Sequence, residues 1–253
     1  LLPELRVLPI ESVFLHEEYE LDRLLGISQK IKKEQKLKNP PIALQINEDK
    51  YLILDGAHRT SSLIKLNCKR IVVQVVDINQ VSINAWAHHV PNDALLIDEL
   101  KNNPGIELSA QKQVNSLLAS IHFNDNVFYL YNKNSSLSNI SEKVSRWKEI
   151  VNSYTDKYEF KRIHNNEVLP TEGITFKYPA LDFTEIVRIV ESNLLLPAGV
   201  TKFSLDCGRV LNLNIPLSFL IREDLDQDNW NELLKDWESS IRLYTDPIYL
   251  CEA

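Results

Sequence analysis

With 253 residues, 44% of them apolar, and a formal charge of −7, the chain holds enough material for one large folded domain or two ordinary ones. It shows no run of about 18 apolar residues and no signal-peptide pattern, so neither a membrane span nor an export address is expected. Residues 1–95 balance 12 basic against 12 acidic side chains and the later residues carry the whole acidic excess, which argues against a protein that grips nucleic-acid phosphates over a basic face.

Leu5–Leu8 reads as a first strand, and Leu21, Leu24, Leu25 and Ile31 recur at helical spacing over about 20–35. Pro40-Pro41 closes that helix, since a residue before proline avoids helical geometry. Ile42–Ile46 and Tyr51–Leu54 flank Asn47-Glu48-Asp49-Lys50, a hairpin loop. Asp55-Gly56-Ala57-His58-Arg59 follows as a polar turn, then a short helix over Thr60–Leu66 with Asn67 as a left-handed terminator, then a buried strand over Ile71–Val76. A soft boundary is expected near Pro91-Asn92-Asp93. Beyond it the pattern is mixed, with strands at 127–131, 194–204, 209–214 and 248–250 and helices at 141–154, 183–192 and 229–242. Cys68, Cys207 and Cys251 are odd in number and lack metal-ligand spacing, which fits a reducing cytoplasm.

A strand that feeds a tight glycine turn and then a helix start makes an anion site, because the first helical N–H groups have no intrahelical partner. An aspartate, a histidine and an arginine in that turn point to phosphate chemistry. Arg59 offers fixed donors to phosphate oxygens, and His58, Thr60, Ser61 and the Gly56-Ala57 backbone offer further ones. Lys38 can reach phosphate from the loop before Pro40. Asp55 can ligate Mg²⁺ or accept a proton. Each has a plainer reading: a salt bridge for Arg59, a structural cap for His58, and helix capping for Thr60 and Ser61.

The order helix, Pro-Pro, strand, loop, strand, Asp-Gly-x-His-Arg, helix, strand, from Leu5 to about Val76, is similar to the ParB/sulfiredoxin-like domain. His16-Glu17, the segment from Ser82 through Trp86, His88 and His89 to Pro91, Pro197–Phe203 and Gly208–Leu213 extend the similarity to the free L-serine kinases of that superfamily. It is strongest to the branch that makes O-phospho-L-serine for staphyloferrin B. The resemblance implies an α+β protein: a ParB/sulfiredoxin-like N-terminal domain at residues 1–92 that binds nucleotide and carries catalysis, and a mixed α/β C-terminal domain at 93–253 that completes the amino-acid site. It implies transfer of the terminal phosphoryl group of ATP, or of ADP, to free L-serine with Mg²⁺, for siderophore or amino-acid biosynthesis. The partners are then L-serine and a nucleotide, with no membrane and no nucleic acid, and the oligomeric state stays open.

The same resemblance makes Glu17 the proton acceptor from the serine hydroxyl, and leaves the division of work between Glu17 and Asp55 open. It places Trp86, Thr201 and Arg209 around the amino acid: Trp86 as a pocket wall, with core packing as its plainer reading, and the other two at the ends of the zwitterion. His88 and His89 could suggest a metal or a repressing haem, but adjacent strand residues point in different directions, so ordinary polar positions are expected. Sulfiredoxin needs a cysteine in the phosphate turn, where this chain has Ala57-His58. ParB proteins carry Gly-Glu-Arg-Arg there and a helix-turn-helix afterwards, and neither is found. A ParB-derived regulator of a biosynthetic operon is the alternative, supported by the basic run Lys30–Lys38.

Overall fold

The computed structural model describes residues 2–113, 117–133, 139–164 and 167–244. The chain divides into two units. Unit 1 comprises residues 1–14, 19–80 and 205–253, and unit 2 comprises 15–18 and 81–204. The expected boundary near 92 therefore falls inside unit 2, and residues 205–253 return to unit 1.

Unit 1 begins with β1 (Leu5–Pro9), β2 (Val13–Phe14), α1 (Leu21–Glu34), β3 (Lys36–Leu37), β4 (Ile42–Asn47), β5 (Lys50–Asp55), α2 (Ala57–Lys65) and β6 (Arg70–Val76). Its main sheet has the order β1-β6-β4-β5-β2. β4 and β5 form the expected antiparallel hairpin, and β6 runs antiparallel to β1 and parallel to β4. β6 is paired along both edges, and Ile71, Val72 and Val73 are fully buried, as its continuous apolar run requires. α1 buries Leu24, Ser28 and Ile31, and Ser62 of α2 reaches the Leu24 carbonyl at 3.4 Å.

The β5–α2 junction needs glycine. Gly56 has φ +99°, and a Cβ there would lie 2.9 Å from Pro41 Cβ. A side chain would be strained by the dihedral and blocked by the proline together.

Unit 2 contains β7 (Val81–Val90), α3 (Ala94–Asn102), β8 (Ile106–Ser109), β9 (Leu117–Phe123), β10 (Asn126–Asn132), α4 (Ile140–Thr155), β11 (Lys161–His164), β12 (Ile174–Lys177), α5 (Phe183–Glu191) and β13 (Thr201–Leu205, of which the last residue belongs to unit 1). Its sheet runs β11-β7-β12-β9-β10-β8, with β13 also paired to β7. α4 buries Val144, Trp147, Ile150, Val151 and Tyr154, the face that the sequence spacing marks. Trp147 is fully enclosed and donates its indole N–H to the Leu118 carbonyl at 2.8 Å. The tail of unit 1 adds β14 (Ile215–Pro216), paired to β3, then α6 (Leu217–Ile221) and α7 (Gln227–Ser240).

The fold is α+β, as expected. Two expected strands are corrected. Residues 209–214 form no strand, because Asn212 and Asn214 adopt left-handed φ values of 61° and 53°. In the 194–204 stretch only the part from Thr201 onward pairs as a strand. Pro197 has no N–H to give a ladder, and Gly199 turns the chain at φ +77°. The expected strand at 248–250, like Cys251, lies outside the described residues. Among the described residues no helix is long and apolar enough to cross a membrane.

Trp147→Ala removes a fully buried indole and orphans the Leu118 carbonyl, so urea unfolding is expected to show a loss of about 3–5 kcal/mol.

Candidate active site

In unit 1, β5 delivers Asp55 to the mouth of α2, and two arginines close on it. Asp55 Oδ2 accepts from Arg59 Nη2 at 2.8 Å and from Arg209 Nη1 at 2.7 Å. Partial burial pushes the Asp55 carboxyl up, and the two guanidinium groups more than reverse it, so the group sits below the ordinary carboxylate range. Its Oδ1 makes no hydrogen bond to the described residues.

Arg59 is committed elsewhere as well. Its Nη1 donates to the carbonyls of Asn39 and Pro40 at 3.1 and 3.0 Å, so it straps the Pro-Pro loop to the turn. Arg209 is the freer cation. It is half-exposed, and among the described residues its one hydrogen bond is to Asp55. It was expected on the amino acid and is found on the turn carboxylate. Gln74 of β6 places it: buried Gln74 donates to the Gly208 carbonyl at 2.7 Å and accepts from the Val210 N–H at 2.9 Å. The residues either side of Arg209 are thus pinned to the sheet. Sequence reading missed Gln74, although a polar residue inside the apolar run Ile71–Val76 is a visible signal of a buried partner.

The mouth of α2 has no side-chain cap, so the backbone N–H groups of Ala57, His58 and Arg59 are the donors it presents. His58 Nε2 accepts from the Glu20 N–H at 3.0 Å, which puts the ring proton on Nδ1 and makes His58 the acceptor at the start of α1. Thr60 gives its N–H to the Gly56 carbonyl at 2.9 Å, and its hydroxyl is buried with no partner. It offers a phosphate neither group. The Ser61 hydroxyl is buried in the same way. Lys38 is exposed on a shallow cleft shared with Lys30, Glu34, Lys36 and Asn214.

In unit 2, Glu17 sits on a short parallel bridge to Leu196. The Leu196 N–H donates to the His16 carbonyl and the Glu18 N–H to the Leu196 carbonyl, both at 2.8 Å. The Glu17 carboxylate accepts from the Gly199 N–H at 3.0 Å. Glu18 is spent on a surface ion pair with Lys148. Trp86 of β7 donates its N–H to the Val200 carbonyl at 3.0 Å, and Thr201 follows at the start of β13, largely buried. The Trp86 ring lies 4.5 Å from the His164 ring, tilted by 51°, and carries the Lys202 ammonium 4.6 Å above it. Lys202 also contacts His164 Nδ1. The 196–202 segment therefore gathers Glu17, Trp86, Thr201 and Lys202, the last a cation that sequence reading passed over. His88 points into the interior and His89 lies half-exposed beside Thr175. Among the described residues no group of three His, Cys, Asp or Glu is arranged to hold a metal alone.

No family model matches the chain. A protein named ATP-dependent L-serine kinase SbnI, from Staphylococcus aureus, is 29% identical over 252 residues, 98% of this chain and 97% of its own. The chain resembles the free serine kinases over nearly its whole length. An ATP-dependent L-serine kinase of Staphylothermus marinus is 25% identical over 146 residues, 56% of this chain and 58% of its own. The solved structure of Staphylococcus aureus SbnI with a C-terminal truncation matches with a TM-score of 0.82 and 28% identity, covering 92% of this chain and 96% of that one. A free serine kinase in complex with AMP matches in fold, with a TM-score of 0.69 and 17% identity over 86% of this chain and 94% of that one.

Because folding lowers the Asp55 value, its contribution to stability is complete above the unfolded carboxylate value and is lost as pH falls through the folded one. The unfolding midpoint of Asp55→Asn should trail the wild type by a constant margin near neutral pH. The margin should begin to shrink as pH falls below about 4 and close only at lower pH.

Proposed function

We propose that the chain is a free L-serine kinase, which moves the terminal phosphoryl group of ATP to the serine hydroxyl and releases O-phospho-L-serine. The observation that carries this reading is the near-full-length likeness to a protein named as an ATP-dependent L-serine kinase. Phosphoryl transfer asks a protein mainly for positioning and charge neutralisation, and the described groups suit those tasks. The N–H groups at the mouth of α2 and the open donors of Arg209 would meet phosphate oxygens, while Arg59 braces the turn. Lys38 would add charge at the loop before Pro40.

Glu17 takes the serine proton as the hydroxyl attacks, and its carboxylate is held ready by the Gly199 N–H. Asp55 is a poor candidate for that step, since two cations favour its ionised form. Its Oδ1 instead fits a single bond to Mg²⁺, an ion that takes one or two carboxylates and completes its shell with phosphates and water. When bound, Mg²⁺ would neutralise charge on the phosphate oxygens. Trp86 and Thr201 would shape the amino-acid site, and Lys202 would meet the serine carboxylate. The product suits siderophore or amino-acid biosynthesis. The free thiols of Cys68 and Cys207 fit the cytoplasm.

The test is to mix protein, L-serine and Mg²⁺ with ATP or ADP and to read phosphoserine by mass spectrometry. Product with ATP is expected, and none with either nucleotide would overturn the reading. Glu17→Ala should lower kcat about 10²–10⁴-fold with little change in nucleotide KM, whereas Glu18→Gln should retain activity.

A further inference from the structure

Behind Glu17 lies a line of buried polar groups that the kinase reading does not use. His88 on β7 is fully buried. Its Nε2 lies 2.7 Å from the Gly199 carbonyl, its Nδ1 lies 2.6 Å from the Tyr154 hydroxyl, and that hydroxyl lies 2.7 Å from the Tyr178 hydroxyl. Gly199 is the residue whose N–H holds the Glu17 carboxylate.

The chemistry of the acceptors fixes every proton in this line. A carbonyl only accepts, so Nε2 carries a proton and donates to Gly199. Burial pushes the His88 imidazole down to about 4, with the nearby Arg162 charge adding to it and the Gly199 bond opposing it. The ring is neutral at ordinary pH, and Nδ1 is then the acceptor. Tyr154 must donate to Nδ1, which leaves its oxygen to accept from Tyr178. The line runs one way: Tyr178 to Tyr154 to His88 to Gly199. Phe160 stacks on the imidazole at 4.2 Å and fixes its plane.

Gly199 needs that restraint. Its N–H and C=O belong to two successive peptide planes hinged at one Cα, and a glycine leaves the hinge loose. Its φ of +77° would strain a side chain at this position, and the Arg162 guanidinium fills the place of a Cβ. The carbonyl side is held by His88, and the next carbonyl, that of Val200, by the Trp86 N–H at 3.0 Å. With those fixed, rotation about the Gly199 φ alone is left to aim its N–H, and at +77° that N–H meets the Glu17 carboxylate at 3.0 Å.

We propose that His88 is a positioning residue for Glu17, acting through Gly199, with Tyr154 and Tyr178 holding it in the donating tautomer. This rests on the kinase reading, in which Glu17 takes the serine proton.

The experiment uses His88→Phe, which keeps an aromatic ring and removes both hydrogen bonds, and His88→Gln, whose amide can donate to Gly199 while its carbonyl accepts from Tyr154. Tyr154→Phe, which frees the ring to change tautomer, is the milder third variant. His88→Phe should lower kcat about 10- to 100-fold, the scale of a misplaced catalytic group, with both KM values nearly unchanged. His88→Gln should recover most of it, and Tyr154→Phe should fall between. In nitrogen-15-labelled protein the Gly199 amide proton should resonate downfield, move upfield in Glu17→Ala, and make the same move in His88→Phe but not in His88→Gln. Full kcat together with an unmoved Gly199 amide in His88→Phe would overturn the proposal. If His88→Phe does not fold, the same two readings on Tyr154→Phe decide. Failure of the kinase reading is separate: it shows as wild-type protein that makes no phosphoserine, and the amide response still tests the link from His88 to Glu17.

Discussion

One carboxylate oxygen shared by two guanidinium groups organises unit 1. Asp55 Oδ2 draws in Arg59 from the first turn of α2 and Arg209 from a segment 154 residues away in sequence. Arg59 in turn holds the carbonyls before and within the Pro-Pro pair, and Asn39 in the same loop accepts from the Asn212 N–H at 2.8 Å. The turn, the loop and the 208–214 segment are thus one electrostatic knot, and Gln74 anchors it to the sheet. A charge cluster of this kind is costly to bury unless its members are satisfied; here two backbone carbonyls satisfy the more buried Arg59, while Arg209 is half-exposed to solvent.

Unit 2 treats its carboxylate differently. The Glu17 carboxylate accepts from the Gly199 amide and lies 4.0 Å from the His16 imidazole, and its backbone is stitched to Leu196 on both sides. Two acidic side chains in contrasting surroundings are a common way for an enzyme to divide labour. The contrast leaves Asp55 as a lasting charge between two cations.

Local punctuation made much of this legible in the sequence. Pro40-Pro41, the Asn47–Lys50 loop, Gly56 and Asn67 each mark a place where backbone geometry must change, and the elements between them match expectation within a residue or three. α4 was equally readable, because Val144, Trp147, Ile150 and Val151 repeat at helical spacing. The misses share a different cause. Gly199 and Glu17 are 182 residues apart, and no spacing rule connects an amide to a carboxylate over that range. Arg209 reaches Asp55 across 154 residues, a tertiary contact that no sequence spacing announces. Thr60 and Ser61 are expected at the helix start, but α2 begins three residues earlier at Ala57, so they fall beyond the cap and their hydroxyls are buried. The 209–214 stretch looked extended because Val210 and Leu213 are apolar, while the asparagines between and after them set the real conformation.

The route of the chain through the two units has a consequence for synthesis. A ribosome makes Glu17 and Asp55 well before their partners, Gly199 and Arg209. A nascent chain that stops between them owns both acids and neither of the groups bonded to them, so the two contacts form only after residues 199 and 209 have been added.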